Sequence, residues 1–305
     1  MPTFVSVVIP VYNDADGLRD TLQSLIVQDC LDKDYEIIVA DNGSTDQTTE
    51  VANDFRRRYP GLIKVVVEAD VQSSYAARNK GVRIAKGGIL CFVDADMTVE
   101  PDYVWRVRER FAKGSIDYLG CRVEMTLPRD TLAARFNGIR GFNNQASMKK
   151  HNYAPTCALA VRREVFDAVG HFDGRLESGG DYEFGQRVAA SGFSMGYASD
   201  IVMHHPARWR YASLLSKSRR VSRGVAQLTH YYPGKFQHLY DRHFLIREFL
   251  PNNPFTWRRQ LMAAGMPVGW ISAVILSFYQ VPLKIVGLIC VLHETNRLRA
   301  THNGQ

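Results

Sequence analysis

The chain predicts an α/β fold: a mostly parallel central sheet with flanking helices, followed by a C-terminal apolar helical segment. Three observations carry that expectation. Over the first hundred residues strand-like and helix-like segments alternate, the order that builds parallel sheets with right-handed crossovers. A short apolar run, Gly88-Ile89-Leu90-Cys91-Phe92-Val93, ends in Asp94-Ala95-Asp96, and open α/β sheets bind ligands at the C-terminal ends of their strands. Past about residue 236 the composition turns apolar, and residues 260–283 contain no Asp, Glu, Lys or Arg.

The elements follow in order. Val5 to Ile9 reads as a strand. Asp14 to Val27 reads as a helix with Leu18, Leu22, Leu25 and Ile26 on one face. Tyr35 to Ala40 is a second strand, and Thr45 to Tyr59 a second helix, with Ser44 or Thr45 as the expected cap. Ile63 to Val67, Ser74 to Ala85 and Ile89 to Val93 continue as strand, helix, strand. Residues 100–235 are less regular. Helices are expected over Pro101 to Lys113, Arg163 to Val169 and Asp181 to Ser191, with short strands and Gly-rich turns between them.

Composition narrows the classes. A chain of 305 residues can bury a substantial core, and its net charge of +7 suits an anionic partner. No nucleic-acid recognition motif accompanies that charge, so no nucleic acid is expected as partner. The five cysteines are scattered without zinc-type spacing, which points to a reduced, cytoplasmic chain with buried thiols. Met1-Pro2-Thr3 leads straight into the first strand, so no secretory signal is expected.

Four stations carry the chemistry. Pro10-Val11-Tyr12-Asn13 follows the first strand and can offer an aromatic face to a base or ribose. Asp41-Asn42-Gly43-Ser44-Thr45-Asp46 follows the second, where the Asp41 carboxylate can accept from a base N–H. Ala77-Arg78-Asn79 lies in the third helix, and Arg78 can offset diphosphate charge. Asp94 and Asp96 end the fourth strand. Mg²⁺ is commonly held by one or two carboxylates together with substrate phosphates. Taken singly, these are a turn proline, an Asx turn, a surface arginine and a helix cap. In a parallel sheet all four converge on one crevice.

In this order the motifs resemble the family 2 inverting glycosyltransferases of the GT-A fold. The matching text continues with Gly170-His171-Phe172-Asp173 and Gly180-Asp181-Tyr182-Glu183, and the resemblance covers roughly residues 4–210. It implies a GT-A domain over 1–235, with a nucleotide-sugar half to about residue 100 and an acceptor half from 101, and a C-terminal segment over 236–305. It implies a nucleotide-sugar donor, Mg²⁺ or Mn²⁺ at Asp94 and Asp96, and transfer of one sugar with inversion.

Two departures stand out. The family's base is the Asp of a Glu-Asp pair; here the pair reads Gly180-Asp181, so Asp181 keeps the role-bearing position and Glu183 lies two residues on. Many relatives carry a second Asp where this chain has Asn42. An amide presents both a donor and an acceptor, which leaves the donor open among UDP-, GDP- and dTDP-linked sugars. Relatives also place a histidine near the metal or diphosphate. The text His204-His205-Pro206-Ala207-Arg208 favours His205, while counting from the strand Ile201-Val202-Met203 allows His204.

Lys217, Arg219, Arg220 and Arg223 form a basic helix, either a solvated face or a contact for donor diphosphate, acceptor phosphate or anionic lipid. The apolar stretch beyond it is long enough to span a bilayer, though Gly265, Pro267, Gly269, Gln280 and Pro282 interrupt it. Flanking Trp257, Trp270, Arg258, Arg259 and Lys284 suit a membrane interface. The expected activity is transfer of a sugar to a glycan or lipid-linked acceptor at the cytoplasmic face of the membrane. The alternative is a nucleotide-binding scaffold of the same fold without transfer.

Overall fold

The computed structural model describes residues 4–30 and 34–303. Eight strands form one sheet in the order β3-β2-β1-β4-β7-β6-β8-β5. They are β1 Val5–Val11, β2 Tyr35–Asp41, β3 Ile63–Val67, β4 Ile89–Val93, β5 Thr98–Val99, β6 Tyr118–Thr126, β7 Ala158–Arg162 and β8 Met195–Pro206. The first four pair in parallel, with Val7 opposite Ile37 and Cys91. Beyond β4 the pairing of β7, of β6 on β7, and of β5 on β8 is antiparallel, so the sheet as a whole is mixed.

Helices α1 Ala15–Ile26, α2 Thr48–Arg58 and α3 Ser74–Ile84 make the crossovers, and α4 Tyr103–Lys113 follows β5. β1, β2 and β4 are buried along their whole length, as strands covered on both faces must be. Leu18, Leu22 and Leu25 of α1 and Val104, Val107 and Phe111 of α4 join them in one hydrophobic core.

The second helix starts at Thr48, three residues later than the sequence suggests. Residues 42–47 are held in a turn instead: Ser44 N–H donates to Asp41 Oδ1 (3.0 Å), Thr45 N–H to Asn13 Oδ1 (2.8 Å) and Thr48 N–H to Asp46 Oδ1 (2.9 Å). Side-chain acceptors that satisfy backbone donors locally compete with the helix. Ser44 and Thr45 therefore do not cap α2.

The remaining helices are α5 Leu132–Ile139, α6 Asn144–His151, α7 Arg163–Val169, α8 Gly180–Ala190, α9 Tyr211–Tyr231, α10 Gln237–Arg242, α11 Pro254–Ala263, α12 Trp270–Phe278 and α13 Gln280–Asn303. The chain forms two compact units. One holds the described residues through Glu124 with Phe142–Arg175 and Gly180–His205; the other holds Met125–Gly141, Leu176–Gly179 and the described residues from Pro206 on. This division differs from the compositional shift near residue 236, because α9 packs along α13: Ser218 Oγ donates to Leu283 O and Gln227 Nε2 to Glu294 Oε1. The second unit has its own core, centred on Phe136, Leu214, Trp257, Leu261 and Leu276. Of the five cysteines, Cys91, Cys121 and Cys157 are buried and Cys30 and Cys290 partly so.

Candidate active site

The turn after β4 is packed from below by α1. A Cβ on Gly17 would lie 2.7 Å from the Asp14 carboxylate and 2.8 Å from Ala95 O, so only glycine lets the helix start this close to Asp94-Ala95-Asp96. Asp14 caps α1 by accepting from Gly17 N–H (3.0 Å). Burial raises the Asp14 carboxyl above its ordinary range, the Gly17 bond opposes this, and the neighbouring charge of Asp96 adds to it.

Arg78 of α3 is 4% exposed. Its Nη2 donates to Asp94 Oδ1 at 2.5 Å and its Nη1 to Ser74 Oγ at 3.0 Å, while its Nε has no hydrogen-bond partner. The guanidinium also lies 5.5 Å from the Tyr75 ring centroid. Asp94 and Asp96 themselves are about one-third exposed.

The two histidines separate because successive β-strand residues face opposite ways. His204 Nε2 meets Glu100 Oε1 at 2.7 Å, which takes it away from the site. His205 is buried, stacks near Phe142 (5.2 Å) and brings Nε2 to 3.8 Å from Asp96 Oδ1. That separation exceeds a hydrogen bond and leaves two donors facing one space. Among the described residues no group of three or more His, Cys, Asp or Glu forms a metal cage.

The stations after β1 and β2 divide. Tyr12 is 50% exposed, its ring open to a ligand, whereas Pro10 is a buried strand residue paired with Ala40. Asp41 is 1% exposed, and its two oxygens accept from Ser44 N–H and from Thr49 Oγ1 (2.5 Å). It holds the β2–α2 turn and does not open onto solvent. Asn42 is likewise committed: Nδ2 donates to Glu68 O and to Val71 O, both at 2.8 Å. Its amide fastens the loop after β3.

Asn79 makes a reciprocal amide clamp on the Phe172 backbone, donating to its carbonyl (2.8 Å) and accepting from its N–H (3.1 Å). Phe172 then packs on Tyr75, Phe92, Phe166 and Phe184. This brings the segment before α8 to α3. There Tyr75 Oη donates to Asp181 Oδ1 (3.4 Å) and accepts from Asp181 N–H (3.3 Å). Asp181 stands in the first turn of α8, which opens at Gly180. Tyr75 was not among the sequence candidates; its partner lies more than a hundred positions away, and the one local signal is its place on the helix that carries Arg78.

Glu183, the second candidate for a base, is engaged in an ion pair with Arg187. It is fully buried and accepts from Arg187 Nε (2.9 and 3.0 Å) and Nη2 (2.9 Å).

Burial pushes the Cys157 thiol well above its ordinary range, and the charge of Asp94 pushes it further; Arg78 opposes this, and Asp181 and Asp96 add to it. Tyr153 is raised by burial and by Asp181, and it packs 5.0 Å from the Tyr182 ring. Asp94 thus borders the Arg78 cation and Asp181 the Tyr75 phenol, and these two partners are themselves neighbours on α3.

Comparison with known proteins agrees with this architecture. The chain superposes on a mannosyltransferase from Pyrobaculum calidifontis in complex with GDP-Man and Mn²⁺ with a TM-score of 0.63 at 20% identity, covering 97% of this chain and 87% of the other. It superposes on S. aureus TarS 1–349 in complex with UDP-GlcNAc with a TM-score of 0.56 at 17% identity, covering 99% and 92%. In sequence it is 37% identical over 226 residues to glycosyltransferase AglE of Haloferax volcanii, 74% of each chain. A 94-residue stretch is 42% identical to a poly(ribitol-phosphate) β-glucosyltransferase of Bacillus spizizenii, 30% of this chain and 14% of that one. The fold is GT-A, and the protein is a glycosyltransferase. The profile of glycosyl transferase family 2 matches residues 6–170, and the chain belongs to that family.

Proposed function

We propose that the protein moves a sugar, with inversion, from a nucleotide-diphosphate donor to a hydroxyl of a glycan or lipid-linked acceptor. The observation that carries this reading is the linkage of Asp94 and Asp181 through neighbouring Arg78 and Tyr75 of α3, with Asp96 two residues beyond Asp94. The nucleotide-sugars bound by the Pyrobaculum and S. aureus proteins support a donor of this class.

Tyr12 offers its exposed ring to the base. Arg78 holds Asp94 in place and sets positive charge beside it. Asp94 and Asp96 after β4, with the His205 imidazole 3.8 Å from Asp96, are the residues that would hold a divalent cation, which would take its remaining ligands from substrate phosphates. Bound there, Mg²⁺ or Mn²⁺ would neutralise charge developing on the departing diphosphate.

Asp181 takes the proton of the acceptor hydroxyl. The acceptor oxygen bonds the anomeric carbon from the side opposite the diphosphate, and the bond from that carbon to the diphosphate oxygen breaks, releasing the nucleoside diphosphate. The phenols of Tyr75, Tyr153 and Tyr182 line the approach to Asp181.

The acceptor is brought in at a membrane, at its cytoplasmic face. One helical run, Trp270–Thr301, is long and apolar enough to cross a bilayer by length and composition, and only 22% of its most apolar window is buried. A catalytically silent scaffold would have no use for Asp94, Asp96 and Asp181 together.

The test pairs two variants. Asp181→Asn should bind nucleotide-sugar as the wild type does and lose transfer by roughly 10²-fold or more. Asp96→Asn should lose the part of donor affinity that EDTA removes from the wild type. Near-normal transfer by Asp181→Asn, or EDTA-insensitive donor binding by the wild type, refutes the assignment.

A further inference from the structure

The C-terminal helices leave one face uncovered, and that face is a single apolar stripe. Ile271, Ile275 and Phe278 of α12 and Ile285, Ile289 and Leu292 of α13 are all exposed. They recur along the two helices at the spacing of one helix side. On the opposite side Ala273, Leu276, Gly287 and Val291 are buried. From Ile271 to Leu292 the stripe is about 32 Å long at helical rise.

What backs the stripe is polar. α13 runs alongside α9, in the same direction. Ser218 Oγ donates to Leu283 O (2.7 Å), Gly287 abuts Ser222, and Gln227 Nε2 donates to Glu294 Oε1 (3.1 Å). On this stretch of α9, Arg219 and Arg220 are exposed and Arg223 pairs with Glu177 (2.8 Å). α12 is backed in turn by Phe136 of α5 and Trp257 of α11.

A helix that crosses a bilayer takes its packed neighbours with it. If α12 and α13 crossed, the Arg219–Arg223 stretch of α9 would enter hydrocarbon, where charged side chains are strongly disfavoured. Lying flat avoids this: the stripe enters the acyl boundary and α9 stays in water. Exposed arginines stand beyond both ends of the stripe, Arg259 and Arg299. At the first end the Arg258 guanidinium lies 4.8 Å from the Trp270 ring, with Phe255 packed 4.8 Å from the same indole. Aromatic rings and cations together suit the headgroup level of an anionic leaflet.

We infer that α12 and α13 lie in the plane of an anionic membrane leaflet, immersed through this stripe, and do not cross it. The inference rests on the membrane-contact reading proposed above.

The test uses the full chain carrying Arg299→Cys with Cys30→Ser and Cys290→Ser, made in bacterial cells. The protein should sediment with membranes, resist a membrane-impermeant maleimide in intact spheroplasts, and label fully after lysis. Labelling in intact spheroplasts overturns the in-plane placement while leaving membrane contact standing. Recovery in the soluble fraction overturns membrane contact and this inference with it. In vesicles of phosphatidylcholine and phosphatidylglycerol, a fluorophore on Ile271→Cys, Ile285→Cys or Leu292→Cys should report the same shallow depth. A reading for Ile285→Cys deeper than both ends also overturns it. All three positions are surface-exposed, so the substitutions leave packing intact.

Discussion

Replacing Glu183 by glutamine separates a structural carboxylate from a catalytic one. Its side chain has no exposure and makes three contacts with the Arg187 guanidinium, which is itself 26% exposed. Glutamine keeps the shape but has one acceptor oxygen, and it turns an NH₂ toward a cation. Breaking a buried pair by removing one partner costs about 3–5 kcal/mol. Arg187 retains the carbonyls of Val169, Gly170 and His171 and some solvent, so the lower side applies: about 2–3 kcal/mol, in line with a lost charged hydrogen bond or two. At ~2–4 °C per kcal/mol for a chain of a few hundred residues, the melting temperature should drop by roughly 4–12 °C. The assay is thermal unfolding beside sugar transfer measured well below the transition, expressed per folded enzyme. The variant should be less stable with turnover within a few-fold of wild type. An unchanged melting temperature with turnover down roughly 10²-fold would refute the reasoning and restore Glu183 as the base.

Three further outcomes are expected. His205→Ala should weaken cation-dependent donor binding by roughly tenfold or more, measured by titration calorimetry with Mn²⁺; His204→Ala loses only its Glu100 contact and should leave that affinity unchanged. Gly180→Ala should destabilise the fold by ~1–3 kcal/mol through overpacking and lower kcat, because its Cβ would lie 2.8–3.0 Å from the Tyr75 ring; a wild-type kcat would show that Asp181 does not depend on this contact. Glu36 titrates low: burial pushes its carboxyl up, but Lys64, the Lys86 N–H and Ser6 outweigh burial and hold it below 4.5. Its contribution to stability is therefore complete above pH 4.5 and is lost as pH falls through the lower folded-state value. Glu36→Gln should flatten this part of the acid-unfolding curve, and an unaltered acid slope would contradict it.

The parallel half of the sheet was legible because β1, β2 and β4 are short, largely apolar runs set between helix-period segments. The antiparallel half was not. β7 is Ala158-Leu159-Ala160-Val161-Arg162, a composition that suits a helix as well, and only its pairing with β4 (Cys91 opposite Ala160) makes it a strand. In the site, Asp94, Asp96 and Asp181 stand out as charged groups at predicted element ends, and Arg78 as a cation within the third helix. The commitments of Asp41 and Asn42 could not be read, since what occupies them is backbone and hydroxyl groups met only after folding: Thr49 for one, and the Glu68 and Val71 carbonyls for the other. The histidine pair resolves as soon as β8 is known to pair with β5, with Thr98 opposite His204.

The missing Glu before Asp181 has a physical account. The ring of Tyr75 fills the space above Gly180, so a side chain there would meet aromatic carbon at 2.8 Å. The same residue returns its hydroxyl to Asp181 as both donor and acceptor. Tyr75 lies three residues before Arg78 on α3, a spacing that puts both on one helix face, and Arg78 in turn grips Asp94. One turn of one helix therefore bears on two of the carboxylates with proposed roles: the donor-side Asp94 through a guanidinium and the acceptor-side Asp181 through a phenol. One residue further on, Asn79 locks the Phe172 backbone and so fixes the chain that leads to Asp181. α3 thus contacts the groups of both proposed halves of the chemistry, and a substitution that shifts α3 should disturb both at once.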